Sequence, residues 1–101
     1  MNTQIILICS AGMSTSLLVK KMKDSAKAFP ETISVEAYAE SAVSQEQIDA
    51  TEVILLAPQI SYKLKDFQKK YEPLGKKVAV INSSDYGMLN GENVLKTAMA
   101  L

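Results

Sequence analysis

Residues Gln4 to Ile8 read Gln-Ile-Ile-Leu-Ile and residues Val53 to Ala57 read Val-Ile-Leu-Leu-Ala, two near-continuous aliphatic runs. A run of this kind conceals both faces of a strand, which is the habit of central strands in parallel sheets. Helical spacing follows each one. After the first, Leu17, Leu18, Met22, Ala26 and Phe29 fall near one face while Lys20, Lys21, Lys23 and Lys27 take the other. After the second, Pro58 closes the strand and Ile60, Leu64, Phe67 and Tyr71 mark a helix, with Lys63, Lys65, Lys69 and Lys70 outside.

The intervening stretches carry the punctuation such an alternation needs. Pro30 stops the first helix, and Ile33, Val35 and Ala37 alternate with Ser34, Glu36 and Tyr38 in a more exposed strand. Ser44 with Gln47 three residues on is a capping-box pattern, opening a short helix from Gln45 to Ala50. Pro73 and Gly75 end the third helix, and Val78 to Ile81 form a fourth strand. Asn82 to Gly91 is rich in turn formers, and Val94, Leu95, Ala98 and Met99 mark a last helix with Asn90 as its cap. The expectation is an α/β fold: one domain over residues 1–101, a four-stranded parallel sheet with helices on both faces. In such sheets ligands bind beyond the carboxyl ends of the strands, where strand order reverses. Cys9 falls at that end of the first strand, and the segments Pro58 to Tyr62 and Asn82 to Gly91 should line the same rim.

Composition removes most chemistries. All eleven basic residues are Lys, balanced by eleven acidic ones, and there is no Arg, His or Trp. Without His there is no imidazole base, no Cys-His dyad and no phosphohistidine; without Arg there is no bidentate phosphate clamp. Zero formal charge gives no footprint for nucleic acid. The absence of a long apolar run or a basic leader fits neither membrane insertion nor secretion, so a cytoplasmic protein is expected. A lone cysteine, Cys9, forbids an internal disulfide, a CxxC pair or a thiolate zinc site, so no metal is expected. Unusual reactivity must centre on that thiol, on hydroxyls or on carboxylates.

Between the first strand and the first helix lie Cys9, Ser10, Ala11, Gly12, Met13, Ser14, Thr15 and Ser16, small or hydroxylic except for Met13. Small residues with Gly12 let the backbone wrap so that successive amides converge on an anion, and the helix adds its N-terminal N–H groups and positive dipole end. The hydroxyls of Ser10, Ser14, Thr15 and Ser16 can donate further bonds or cap the helix. The same field favours thiolate over thiol at Cys9. A free cysteine ending a buried strand is, taken alone, more often an inert small hydrophobe than a nucleophile, yet an inert one needs no such loop.

The nearest chemical comparison is the cysteine-phosphatase loop, C-x5-R-[ST]. Counted from Cys9, Thr15 stands at the Arg position and Ser16 follows it. The spacing matches and the cation is missing, so a phosphocysteine here should hydrolyse slowly and pass its phosphoryl group to a docked partner. Asp85 could resemble the phosphatases' general acid or simply form a turn beside Gly87. Met13 could be an apolar partner contact or core filling. Gln59 and Tyr62 could bond the loop or a partner, while Pro58 more simply ends the strand. Tyr86 frames the site or packs in its loop. The lysine-rich helix faces read as solvated surface.

Cys9-Ser-Ala-Gly-Met-Ser-Thr-Ser-Leu-Leu-Val19, with Pro58-Gln59-Ile60-Ser61-Tyr62 and Tyr86-Gly87, resembles the IIB component of the bacterial phosphoenolpyruvate-dependent sugar phosphotransferase system, lactose/cellobiose (chitobiose) family. The resemblance implies that Cys9 is the phosphorylated nucleophile and Ser10 to Ser16 the phosphate loop. It implies a IIA component whose histidine donates the phosphoryl group and a membrane IIC component in which the sugar, of cellobiose or chitobiose type or a related β-glucoside, receives it. No cofactor is implied, and a monomer meeting its partners transiently is the expectation for a shuttle. Two other classes stay open: a low-molecular-weight cysteine phosphatase, and a flavodoxin-like module that binds an anion or nucleotide without reacting.

Overall fold

A computed structural model describes residues 2–10 and 15–101 of the chain. Strands β1 (Asn2–Cys9), β2 (Thr32–Ala39), β3 (Val53–Leu56) and β4 (Lys77–Val80) form one sheet, all pairings parallel, in the order β2-β1-β3-β4. The helices are α1 (Ser16–Ala26), α2 (Gln45–Asp49), α3 (Leu64–Tyr71), α4 (Ser83–Gly87) and α5 (Gly91–Met99). Among the described residues no helix is long and apolar enough to cross a membrane.

β1 is central and buried on both sides, as its unbroken aliphatic run requires. Ile5 and Leu7 join one core layer with Leu18, Val19 and Met22 of α1 and Val94, Leu95 and Ala98 of α5. Ile6 and Ile8 face the opposite layer, with Ile48 of α2 and Tyr71 of α3. The chain steps from β1 to β2 in one direction and then to β3 and β4 in the other. Crossovers of constant hand then place α1 on one face and α2 and α3 on the other. The reversal falls between β1 and β3.

Local chemistry sets the helix ends. At α2 both halves of the capping box form: Ser44 Oγ accepts from Gln47 N at 3.2 Å, and Gln47 Oε1 accepts from Ser44 N at 2.8 Å. Lys76 Nζ donates to the carbonyls of Asp49 (3.0 Å) and Thr51 (2.8 Å), closing the far end of that helix. Asn90 Oδ1 accepts from Asn93 N at 3.1 Å, the expected cap of α5. Gly91, the first residue of α5, lies so close to α1 that a Cβ there would sit 2.6 Å from the carbonyl carbon and Cβ of Lys21 and from the nitrogen of Met22.

Four expectations need correction. The helix expected from Ile60 begins at Leu64; Pro58 to Lys63 forms a 3₁₀ segment in which Ile60 (φ −116°, ψ 26°) leaves helical geometry so that its side chain can enter the core. Leu17 is 49% exposed, because it stands one position, about 100° of helix, from the buried row through Leu18 and Met22. The stretch Asn82 to Gly91 is not an open loop. Asn82 Oδ1 accepts from Ser84 N and Asp85 N (2.9 and 3.2 Å) and starts α4. The fourth strand runs Lys77–Val80, one residue earlier than expected, although Ile81 N still donates to the Leu56 carbonyl at 2.8 Å.

Candidate active site at the end of strand 1

Cys9 ends β1 beside the reversal of strand order. Its carbonyl accepts from Glu40 N at 2.8 Å, just beyond β2, and the preceding carbonyl of Ile8 accepts from Ala57 N at 2.9 Å, just beyond β3. The backbone carrying the thiol is therefore fixed from both neighbouring strands. The sulfur lies 3.5 Å from Thr15 Oγ1 and 3.9 Å from the Tyr38 carbonyl oxygen, to which it donates.

Cys9 is 2% exposed and Thr15 fully buried. Burial beside Ile8, Ala57 and Ile60 is what an inert cysteine would show. The hydroxyl against the sulfur is what a reactive one would use. Thr15 precedes α1 as its N-cap, but its side chain makes no cap hydrogen bond; only its carbonyl takes the helical role, accepting from Val19 N at 2.9 Å. Of the two uses the sequence left open for this hydroxyl, capping is therefore not the one observed. The first turn of α1 carries no acidic residue, so the helix itself sets no carboxylate against an anion at that end.

Ser10 and Ser16 are exposed at the rim. Ala11, Gly12, Met13 and Ser14 lie outside the described residues. Gln59 is exposed on the 3₁₀ segment that follows β3. Tyr62, on the same segment, is 75% exposed, and Lys63 Nζ sits 5.8 Å from its ring centroid. Tyr86 is half-buried and packs against both core layers, including the one that holds Cys9. Asp85 Oδ2 accepts from Asn93 Nδ2 at 2.6 Å, so its carboxylate ties α4 to α5.

One pair at this rim was not anticipated from the sequence. Lys63 Nζ donates to both carboxylate oxygens of Glu40, the residue whose amide binds the Cys9 carbonyl. The hydrogen bond to Glu40 holds the Lys63 ammonium above the usual lysine range; burial opposes this, and the negative charges of Glu40 and Asp66 add to it. No sequence signal marks a pair 23 residues apart. Each partner reads alone as an ordinary solvated charge.

With this geometry in place, the comparisons with known proteins agree. Residues 4–97 match the family model for the lactose/cellobiose-specific IIB subunit of the phosphotransferase system. The chain is 35% identical over 98 residues to the oligo-beta-mannoside-specific EIIB component of Bacillus subtilis, covering 97% of this chain and 94% of that one. It is 38% identical over 100 residues to the cellobiose-specific EIIB component of Lactococcus lactis, covering 93% and 91%. The solution structure of the cellobiose-specific IIB component from Borrelia burgdorferi superimposes with a TM-score of 0.77 at 39% identity, covering 99% of this chain and 91% of that one. The lactose-specific IIB domain of Streptococcus pneumoniae gives 0.84 at 16% identity, covering 99% and 97%, and a YwlE mutant from Bacillus subtilis 0.64 at 13%, covering 97% of each chain; these two share the fold. The chain therefore belongs to the lactose/cellobiose-specific IIB family of the phosphotransferase system, whose members carry phosphoryl groups to sugar.

Proposed function

We propose that Cys9 is the residue that carries the phosphoryl group, within a cytoplasmic IIB domain spanning residues 1–101 and acting as a monomer. In the first step the sulfur attacks the phosphorus of a IIA phosphohistidine; the S–P bond forms, the N–P bond breaks and the imidazole leaves, taking up the proton that the thiol gives up. In the second, a hydroxyl oxygen of sugar held by a IIC component attacks phosphorus, the S–P bond breaks, the thiolate is regenerated and the hydroxyl proton goes to a base on the acceptor side. Neither step consumes water or a cofactor. Ser10 to Ser16 form the phosphate loop in this reading, and Met13, Gln59, Tyr62 and Tyr86 face the partners.

The observation that carries the proposal is the sulfur at the carboxyl end of β1, beside the reversal of strand order, with Thr15 Oγ1 at 3.5 Å. Thr15 is buried at the position where a phosphatase loop would supply arginine. No guanidinium from this chain therefore assists attack by water, which favours transfer over hydrolysis. The sugar is proposed to be cellobiose, chitobiose or a related β-glucoside, in keeping with the cellobiose named for two of the relatives.

The test is intact-mass measurement after incubation with phosphoenolpyruvate and the upstream carriers. The native chain gains one phosphoryl mass and Cys9→Ser gains none; equal labelling of both would sink the assignment. Turnover of aryl phosphates by the chain alone would move it to the phosphatase class. Retained anion binding with no labelling of either chain would move it to the binding class.

A further inference from the structure

We propose that the Glu40–Lys63 ion pair is a positioning strut for phosphoryl transfer, fixing the segment Pro58 to Lys63 against the carboxyl end of β1 so that a partner meets a preset rim. This rests on the phosphocysteine reading above. Among the described residues, the other ion pairs lie between side chains that are each at least half exposed; Lys63 and Glu40 are 29% and 35% exposed. Lys96–Glu92 and Lys27–Asp24 join residues within one helix or at its end, whereas Lys63–Glu40 spans the reversal of strand order.

Both ends of the strut matter. At the acidic end, Glu40 is anchored through its amide to the carbonyl of Cys9 at 2.8 Å. At the basic end, Lys63 closes the second of two short 3₁₀ turns that meet at a kink within Pro58 to Lys63. The kink at Ile60 leaves no continuous helical ladder through the segment; the Ile60 side chain pins the middle and Lys63 pins the end. Gln59 and Tyr62 ride on the same segment. Lys63 thereby acts through the segment it holds, as a positioning residue and not by touching the phosphoryl group.

The same pair also neutralises the carboxylate of the residue whose amide binds the Cys9 carbonyl, and the experiment separates the two effects. Initial rates of phosphoryl transfer from a phosphorylated IIA component are measured over a range of donor concentrations for the native chain, Lys63→Met, and Glu40→Gln combined with Lys63→Met. Urea unfolding of each variant identifies those that are folded. The strut predicts that both variants raise the half-saturating donor concentration about tenfold while the maximal rate stays within about twofold. Combining Glu40→Lys with Lys63→Glu restores it. If the uncharged double variant regains native saturation, neutralisation alone explains the pair and the strut is overturned. If the maximal rate falls instead and the charge swap does not recover it, Lys63 acts at the phosphoryl group and the proposal is again overturned. Cys9→Ser in the same assay keeps the readings apart: labelling of that variant removes the phosphocysteine, and loss of labelling with native saturation in the Lys63 variants removes only the strut.

Discussion

The sulfur of Cys9 and the hydroxyl of Thr15 approach to 3.5 Å across the two ends of the segment that joins β1 to α1. Thr15→Val keeps the side-chain shape and deletes that hydroxyl. Phosphoryl acceptance should slow by about tenfold or more, since one misplaced or missing polar contact at a reacting atom costs at least that. Stability should change by about 1 kcal/mol or less, because the sulfur keeps its contact with the Tyr38 carbonyl. Stopped-time labelling alongside urea unfolding measures both; an unchanged labelling rate would leave Thr15 as core filling.

Gly91→Ala tests the contact between α1 and α5. The added methyl would meet backbone atoms of Lys21 and Met22 at 2.6 Å, and neither helix can yield without disturbing Leu18, Met22, Val94 and Leu95. Destabilisation of about 1–3 kcal/mol is expected from overpacking, read as a lower urea midpoint. An unshifted midpoint would show that α5 can slide away freely.

Ser44→Ala removes one half of the α2 capping box and should cost about 1 kcal/mol. Gln47→Ala should overlap with it and not add in full, because each residue binds the other's amide. A double-mutant cycle measures the overlap, and strict additivity would contradict reciprocal capping.

Lys63 and Glu92 give opposite pH signatures. The Lys63 ammonium is held above the usual lysine range by its hydrogen bond to Glu40, so its contribution is complete below the ordinary lysine pKa and is lost as pH rises through the elevated one. The Glu92 carboxyl is held low by its hydrogen bond to Lys96, so its contribution is present above the ordinary glutamate pKa and is lost as pH falls through the depressed one. Between neutrality and mildly alkaline pH, the difference in unfolding midpoint between the native chain and Lys63→Met should therefore stay constant. It should shrink only in the strongly alkaline range. A difference that already fades near pH 8 would mean that Lys63 is not held charged by Glu40.

The sequence made the sheet legible because burial on both faces leaves a mark in the chain itself: Ile5 to Ile8 are apolar at every position, and the structure needs each of them. Capping was legible for a similar reason, since Ser44, Gln47 and Asn90 act within three residues of themselves. Periodicity misled where a tertiary demand overrode it. Ile60 fits a helical row with Leu64, but Pro58 and the pull of the core bend it out of that row. Asn82 looked like a turn former and starts α4, because Asn caps helices as readily as it makes turns. At the candidate site, Cys9 and Thr15 could be placed through their spacing along one segment. Glu40 and Lys63 come from different strand ends, and only the folded topology brings them together.

All four strands run the same way, so Cys9, Glu40 and Pro58 gather at one pole while Gly75 turns the chain at the other, in left-handed backbone (φ 86°) with nothing within 4 Å of where a side chain would start. On the proposed reading, the reactive sulfur and the Gly75 turn therefore lie at opposite poles. A tether, dye or surface linker grafted near Gly75 therefore leaves the business end facing outward, which suits this chain to immobilisation in an orientation its relay partners could still reach.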